Sequence, residues 1–323
     1  MPKIFITRPV PGKAESMLRE KGHDVTVNPH NEPLSREMLI KTLSEGQYDG
    51  VLSLLHDTID SGVFDAAPSV KIFANYAVGY NNFDLDSARA HGVTVTNTPS
   101  NAVNESVGEH TFALMLALAH RIAEGDRYVR AGSYTGWDPN LLIGLDIKGK
   151  ILGVIGAGRI GTSVIQKAVQ GFGMRVVYYD IVRNEYAEKE YGAVFKETVD
   201  EVLTEADIVT LHVNLSDETT HLINTERLAL MKRDALLINT CRGPVVDEQA
   251  LQRALSEKVI RGAAIDVYEF EPKVADGLTS LSNIVLTPHI ASATEASRND
   301  MSDIAARNLI EFFDGKKPTN TVT

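Results

Sequence analysis

The chain has 323 residues and a formal net charge of −11, and 43% of its residues are hydrophobic and 23% charged. This composition is typical of a globular protein long enough for two domains, and the acidic balance argues against nucleic acid as a partner. The single cysteine, Cys241, excludes an internal disulfide, and no spacing of potential ligands indicates a metal site. Residues 1–7 enter a strand-like run without a signal-peptide pattern, and the most apolar helix, Thr111–Ala119, is too short to span a membrane. We therefore expect a cytoplasmic protein that does not bind membranes.

Residues 1–100 alternate short apolar runs with helical patterns. Such alternation predicts a parallel sheet with helices on both faces. The loops Leu55–Asp57 and Asn75–Asn82 follow strand ends, which is where a ligand binds in this architecture. The predicted strands are Lys3–Thr7, Asp24–Val27, Gly50–Leu54, Val70–Ala74 and Val93–Thr96, and the predicted helices are Gly12–Glu20, Ser35–Leu43, Ser61–Ala66 and Asp84–Ala90.

A long helical stretch, residues 101–131, follows, and we expect it to break near Gly125. Its apolar residues cover more than one stripe of the helix surface. We therefore expect the helix to be buried on several sides, either between two domains or in a dimer contact. The last helix, Thr294–Phe313, is long enough to return to the first domain. We therefore predict a substrate domain formed by residues 1–100 and 290–323, interrupted by a cofactor domain of residues 101–289.

The segment Lys150–Asp180 predicts a strand, a turn, a helix and a second strand. Ile151–Ile155 reads as a buried parallel strand, and the second strand, Arg175–Tyr179, ends at Asp180. Between them lies Gly156-Ala157-Gly158-Arg159-Ile160-Gly161, which opens an apolar-periodic helix. The pattern of strand, glycine turn, helix, strand and acidic residue is typical of a dinucleotide site.

Each glycine of this turn has a separate physical role. Gly156 permits the tight turn, Gly158 lets the backbone approach a pyrophosphate, and Gly161 allows close packing of helix on strand. The amides at the helix N-terminus then hold the phosphates. Asp180 is placed to accept hydrogen bonds from the adenosine ribose, and its charge disfavours a 2′-phosphate, which predicts NADH over NADPH. Arg183, three residues after Asp180, could partly accommodate that phosphate through its positive charge.

Polar side chains follow three predicted strands in the second half of the chain, Leu236–Asn239, Gly262–Asp266 and Ile284–Leu286. Carboxyl ends of parallel strands meet at one sheet edge, so we expect these residues to lie close together. An arginine there offers a fork for a carboxylate, and a histidine suits proton exchange near neutral pH. The residues concerned are Arg242, Glu271 and His289.

Taken together, these motifs resemble the D-specific 2-hydroxyacid dehydrogenases over essentially the whole chain. The match rests on the glycine turn with Asp180, on Asn239-Thr240-Cys241-Arg242-Gly243, on Asp266-Val267 with Glu271-Pro272, and on Pro288-His289-Ile290. Ile6-Thr7-Arg8 and residues 75–80 look most like glyoxylate/hydroxypyruvate reductases within that family. The resemblance implies two Rossmann-like or flavodoxin-like α/β domains with parallel sheets, the cofactor domain being inserted into a discontinuous substrate domain.

The resemblance also implies a role for each site residue. His289 would be the acid/base, Glu271 its partner, and Arg242 the residue that binds the substrate carboxylate and polarises the carbonyl. The substrate would also meet Leu55 and the backbone amides of Val78 and Gly79. The cofactor would be bound by Thr111, Gly156, Gly158, Arg159, Ile160, Gly161, Asp180, His212, Thr240, Cys241 and Asp266.

Several readings stay open at this point. The first is an NAD-dependent enzyme, expected as a homodimer, that reduces a small 2-keto acid to the D-2-hydroxy acid. The alternatives are a D-lactate- or 3-phosphoglycerate-type dehydrogenase, and a non-catalytic NAD-sensing protein like the corepressors that share this scaffold. The presence of Arg242, Glu271 and His289 favours an enzyme.

Overall fold

The computed structural model describes residues 1–323, and the chain folds as two compact units. The first unit comprises Met1–Val103 and Ala293–Thr323, and the second comprises Asn104–Ser292. These bounds differ by three residues from the predicted ones at both junctions. The assignment of substrate binding to the first unit and cofactor binding to the second stays a prediction.

The first unit is built on a five-stranded parallel sheet in the order β2-β1-β3-β4-β5. This order is flavodoxin-like. The strands are short, and all but the edge strand β2 are mostly buried; their inner side chains form a core with the helices on either face. Its elements are β1 (Lys3–Ile6), α1 (Ala14–Glu20), β2 (Asp24–Val27), α2 (Arg36–Gly46), β3 (Gly50–Leu54), α3 (Ser61–Ala66), β4 (Ile72–Tyr76), α4 (Leu85–Ala90) and β5 (Thr94–Thr96).

The helix starts of this unit follow from local side-chain chemistry. Ser35 caps α2 by accepting from the amide of Met38, and Asp60 and Asp84 cap α3 and α4 in the same way. The last helix, α12 (Glu295–Phe313), begins after the cap residue Thr294 and packs against α1, β3 and β4. The prediction that the last helix returns to the first domain is therefore confirmed.

The second unit contains a seven-stranded parallel sheet in the order β12-β11-β10-β9-β6-β7-β8. The chain moves outward from β6 in one direction and then from β9 in the other, which creates a switch point between β6 and β9. The prediction of two α/β units with parallel sheets is confirmed. The elements are α5 (Asn101–Ala119), α6 (Ile122–Arg130), β6 (Ile151–Ile155), α7 (Arg159–Gln166), β7 (Arg175–Tyr179), α8 (Glu185–Tyr191), β8 (Val194–Phe195), α9 (Val199–Glu205), β9 (Ile208–Leu211), α10 (Thr225–Leu230), β10 (Leu236–Asn239), α11 (Glu248–Ser256), β11 (Gly262–Ile265) and β12 (Ile284–Leu286).

The helical stretch after residue 100 breaks at Arg121, so the prediction of a break near Gly125 is wrong. Arg121 has a φ of 55°, in the left-handed region, and Gly125 lies inside α6. The cause is tertiary: the carbonyl of Ala119 accepts from the amide of Leu145 at 2.9 Å, and Gly144 lies so close that a Cβ there would be 2.4 Å from that carbonyl oxygen.

None of the helices is both long and apolar enough to cross a membrane.

Candidate active site

The glycine turn between β6 and α7 has the shape that a dinucleotide requires. Gly156 has a φ of 94°, and a Cβ there would be 2.5 Å from the carbonyl oxygen of His212. A Cβ on Gly161 would be 2.0 Å from the carbonyl oxygen of Gly156, so helix and turn touch through their backbones. A Cβ on Gly158, in contrast, would meet no heavy atom within 4 Å. The backbone is therefore open to a ligand at Gly158 and closed at the other two glycines.

The N-terminus of α7 and Asp180 face this opening from the two sides of the turn. Gly158 caps the helix without a side-chain hydrogen bond, so the first amides, including those of exposed Arg159 and half-buried Ile160, have no side-chain partner. Asp180 follows β7, and its Oδ2 accepts from the amide of Ala157 at 2.6 Å. A carboxylate oxygen accepts more than one hydrogen bond, so Asp180 keeps acceptor capacity for a ribose. The residues present fit a dinucleotide.

Arg183 lies close to Asp180 in sequence, but its guanidinium is engaged elsewhere. Its Nε and Nη2 donate to the two carboxylate oxygens of Glu188 at 2.7 and 3.0 Å. The guanidinium also lies 5.3 Å from the ring centroid of Phe195. A bidentate ion pair with Glu188 and an aromatic contact with Phe195 fix this arginine to α8 and β8.

Four other predicted cofactor residues lie near the carboxyl ends of β9 and β10 in the same sheet. Thr111 on α5 is fully buried, and its hydroxyl lies 3.1 Å from that of Thr240 after β10. His212 follows β9, where its Nε2 lies 2.9 Å from the hydroxyl of Thr210, and burial lowers its pKa to about 3. Burial raises the pKa of the Cys241 thiol to about 11, so this cysteine is protonated at neutral pH.

Arg242 follows β10 on a turn that Asn239 holds in place. The side chain of Asn239 donates to the carbonyl of Arg242 at 2.9 Å and accepts from the amide of Cys241 at 3.1 Å. A Cβ on Gly243 would be 1.9 Å from the carbonyl of Tyr268, so only glycine lets this turn pack on the next strand end. Burial is the main cause that lowers the pKa of Arg242, although the charge of Glu271 opposes it.

Glu271 and His289 form a hydrogen-bonded pair. The Nδ1 of His289 lies 2.9 Å from the Oε2 of Glu271, and the Oε1 of Glu271 accepts from the amide of Tyr268 at 3.0 Å. Burial raises the pKa of Glu271, but the bonds from His289 and Tyr268 and the charge of Arg242 outweigh it, so the pKa is lowered. An ionised carboxylate can only accept, so the proton of this bond is on Nδ1. Arg242, Glu271 and His289 are therefore brought together at one sheet edge.

Asp266 holds the turn that carries His289. It is fully buried, its Oδ1 accepts from the hydroxyl of Thr287 at 2.6 Å and the amide of Ile290 at 2.9 Å, and its Oδ2 accepts from the amide of Ala291 at 2.7 Å. Its backbone carbonyl accepts from the amide of His289 at 2.8 Å. These bonds stabilise His289 at a φ of 55°, a left-handed conformation that costs energy for a residue with a Cβ.

The predicted substrate-binding residues lie at the carboxyl ends of β3 and β4 in the first unit. Leu55, Val78 and Gly79 are half-buried. Asn97 donates to the carbonyl of Val78 at 2.7 Å and Asn75 donates to that of Gly79 at 3.0 Å, whereas the amides of Val78 and Gly79 have no acceptor. From the sequence, no bracing role was assigned to these side chains, nor to Asn239 and Thr287. The available signal was a polar residue in or just after a buried strand.

Comparison with known proteins identifies relatives over the whole length. The family model described as "D-isomer specific 2-hydroxyacid dehydrogenase, NAD binding domain" matches residues 112–291. A glyoxylate reductase from Thermococcus kodakarensis is 45% identical over 99% of this chain and 96% of its own length. A crystal structure of a Thermus thermophilus protein has a TM-score of 0.92 and 40% identity, covering 99% of this chain and all of the other. An NADPH-dependent glyoxylate/hydroxypyruvate reductase from Sinorhizobium meliloti, solved with NADP and malonate, has a TM-score of 0.85 and 28% identity, covering 100% and 97% of the two chains.

Proposed function

The chain belongs to the D-isomer specific 2-hydroxyacid dehydrogenase family, and from this premise we propose that it reduces glyoxylate or hydroxypyruvate with NADH, giving a D-2-hydroxy acid where the product is chiral. It is an oxidoreductase that acts on 2-keto acids and uses a nicotinamide cofactor. The observation that carries the proposed chemistry of reduction is the 2.9 Å hydrogen bond between His289 and Glu271, with Arg242 beside it.

His289 is the proton donor in this proposal. Glu271 occupies Nδ1 and stabilises the imidazolium, and Nε2, which makes no hydrogen bond within the protein, is left to protonate the keto oxygen. A nicotinamide cofactor, when bound, would supply the hydride to the keto carbon. In the oxidative direction, His289 accepts the proton from the hydroxyl group of the substrate. Arg242 would bind the substrate carboxylate through its planar fork, and its charge also polarises the carbonyl.

The unpaired amides of Val78 and Gly79 support a role in carboxylate binding, because two neighbouring donors with no acceptor suit an anionic oxygen. Leu54 and Leu55 give the adjacent loop an apolar character. His56 is next to them, and burial is the main cause that lowers its pKa, so it supplies little positive charge at neutral pH. These features favour a small, unphosphorylated keto acid over 3-phosphohydroxypyruvate.

Preference for NADH rests on Asp180 and on the engagement of Arg183. The amides of the α7 N-terminus would hold the pyrophosphate, and Asp180 would accept from the ribose hydroxyls and repel a 2′-phosphate. Arg183, which could otherwise neutralise that phosphate, is paired with Glu188. The remaining cofactor contacts we propose are Thr111, Arg159, Ile160, His212, Thr240, Cys241 and Asp266.

The proposal includes a homodimer. Residues 122–143 carry several large apolar side chains that are more than half exposed, which is costly for a monomer. They are Ile122, Val129, Tyr134, Trp137 and Ile143. Sedimentation equilibrium of the purified protein tests this, and a monomer at micromolar concentration would contradict it.

The test of the function is a steady-state panel of glyoxylate, hydroxypyruvate, pyruvate, phenylpyruvate and 3-phosphohydroxypyruvate, each with NADH and NADPH. We expect the highest kcat/KM for glyoxylate or hydroxypyruvate with NADH, and a D product from hydroxypyruvate. His289→Ala should lose nearly all turnover, while the exposed His120→Ala serves as the matched control. Preferred turnover of 3-phosphohydroxypyruvate would indicate a phosphoglycerate-type enzyme, and full activity of His289→Ala would remove His289 from the mechanism.

A further inference from the structure

Glu248 is a buried carboxylate that the chemistry above does not use. It is the first residue of α11, which Asp247 caps by accepting from the amide of Ala250. Only 2% of Glu248 is exposed. A carboxylate is costly to bury unless its oxygens are hydrogen-bonded, so its partners indicate what it does.

Both oxygens of Glu248 accept from backbone amides of the loop that carries Glu271. The amide of Glu269 donates to Oε1 at 2.6 Å, and the amide of Ala275 donates to Oε2 at 3.0 Å. Glu271 lies between these two attachment points. One buried side chain therefore fixes the loop on both sides of the residue that pairs with His289.

A second contact makes the attachment reciprocal. The amide of Glu248 donates to the Oε2 of Glu269 at 3.4 Å, and the Oε1 of Glu269 lies 2.7 Å from the Nε2 of His221. Burial raises the pKa of Glu248, the two amide bonds oppose this, and the charges of Glu269 and Glu271 raise it further. Glu248 thus lies next to two other acidic side chains, which disfavour its charged form, whereas the two amide bonds favour it.

The orientation of Glu271 depends on the same backbone. Its Oε1 accepts from the amide of Tyr268, which is the residue directly before Glu269. If the amides of Glu269 and Ala275 lose their acceptor, the amide that orients Glu271 moves with them. We expect the bond between His289 and Oε2 of Glu271, 2.9 Å long in the intact chain, to lengthen as a result.

We propose that Glu248 is a positioning residue, which holds the loop Tyr268–Ala275 so that Glu271 stays in hydrogen-bond contact with His289. This inference rests on the proposed function, because it presupposes that the pair transfers the proton. Glu248 acts through Glu271 and does not touch the substrate in this proposal.

The decisive variant is Glu248→Gln, which keeps the size of the side chain but leaves only one acceptor oxygen for two amides. We expect kcat/KM for reduction to fall about 10- to 100-fold, the range expected when a catalytic group is slightly misplaced. The basic limb of the pH profile should move to lower pH, as we also expect when Glu271 itself is replaced by Gln. The dissociation constant of NADH, measured by fluorescence, should stay unchanged. Glu257→Gln is the matched control, because Glu257 is exposed at the C-terminal end of α11 and its side chain makes no hydrogen bond.

The double variant Glu248→Gln/Glu271→Gln separates positioning from a structural role. If Glu248 acts through Glu271, the second substitution adds no further movement of the basic limb. A lower Tm with an unmoved limb in Glu248→Gln, or additive effects in the double variant, would overturn the proposal. Glu248→Asp keeps both acceptor oxygens and should lie closer to wild type than Gln; it carries the same test if the Gln variant does not fold. If the basic limb of the pH profile moves in Glu271→Gln but not in the Glu248 variants, only this inference is wrong. Full activity of His289→Ala would instead contradict the proposed function itself.

Discussion

Replacing Asp266 by Asn should destabilise the turn that carries His289. The carboxylate accepts three hydrogen bonds in a fully buried position, two on Oδ1 and one on Oδ2. Asn keeps one acceptor oxygen. If that oxygen takes the place of Oδ1, the new amide group faces the N–H of Ala291, and two donors are buried against each other.

The expected loss in the free energy of unfolding follows from the number of hydrogen bonds that Asn cannot keep. A buried donor without an acceptor costs about 1–3 kcal/mol, and the remaining bonds lose the strengthening that a charged acceptor gives them. We therefore expect Asp266→Asn to lose about 2–4 kcal/mol in the free energy of unfolding at neutral pH.

The pH dependence has a defined sign. Burial raises the pKa of Asp266, but the imidazole of His110, 3.5 Å from Oδ1, and the bonds from Thr287 and the two amides outweigh it, so the pKa is lowered. A lowered carboxyl pKa stabilises the fold above the pKa of the unfolded chain, and that stability is lost as the pH falls through the folded pKa. The difference between wild type and Asp266→Asn should thus be full at neutral pH and shrink only below about pH 4.

Two measurements test this prediction. Urea unfolding gives the global effect, and hydrogen exchange of peptides covering residues 288–292 gives the local effect, which matters because two units need not unfold together. Asp217→Asn is the matched control, since Asp217 is exposed and its side chain makes no hydrogen bond. A loss in Asp266→Asn no larger than that of the control would refute the accounting of these bonds.

Three further substitutions test the site. Asp180→Ser should shift cofactor preference toward NADPH by removing charge repulsion, and a wild type that already prefers NADPH would contradict the role of Asp180. Arg242→Lys should reduce kcat/KM by a factor equivalent to about 2–4 kcal/mol, because lysine keeps the charge but loses the fork; near-wild-type kinetics would put Arg242 outside the site. Glu271→Gln should move the basic limb of the reductive pH profile to lower pH and favour oxidation at low pH, since the carboxylate no longer supports the imidazolium of His289. An unmoved limb, measured in both directions, would break the pairing.

The sequence by itself determined most of the strands and helices and the glycine turn between β6 and α7. The predicted strands Ile151–Ile155 and Arg175–Tyr179 match the observed ones residue for residue, and Ser35 caps its helix as expected. These features depend on hydrophobic periodicity, helix capping and glycine conformation, all of which are properties of neighbouring residues. The meeting of Arg242, Glu271 and His289 was also predictable, because parallel strands bring their carboxyl ends to one edge.

Only the tertiary structure decided where the long helix breaks and what holds the site in place. The break at Arg121 follows from a backbone bond between Ala119 and Leu145, which no local pattern encodes. Glu248 reads in the sequence as an ordinary acid at a helix start, yet its partners are the amides of Glu269 and Ala275. A buried carboxylate needs hydrogen-bond donors, and here the donors are backbone amides that are distant in sequence. Only the packing of the whole sheet places those amides next to Glu248.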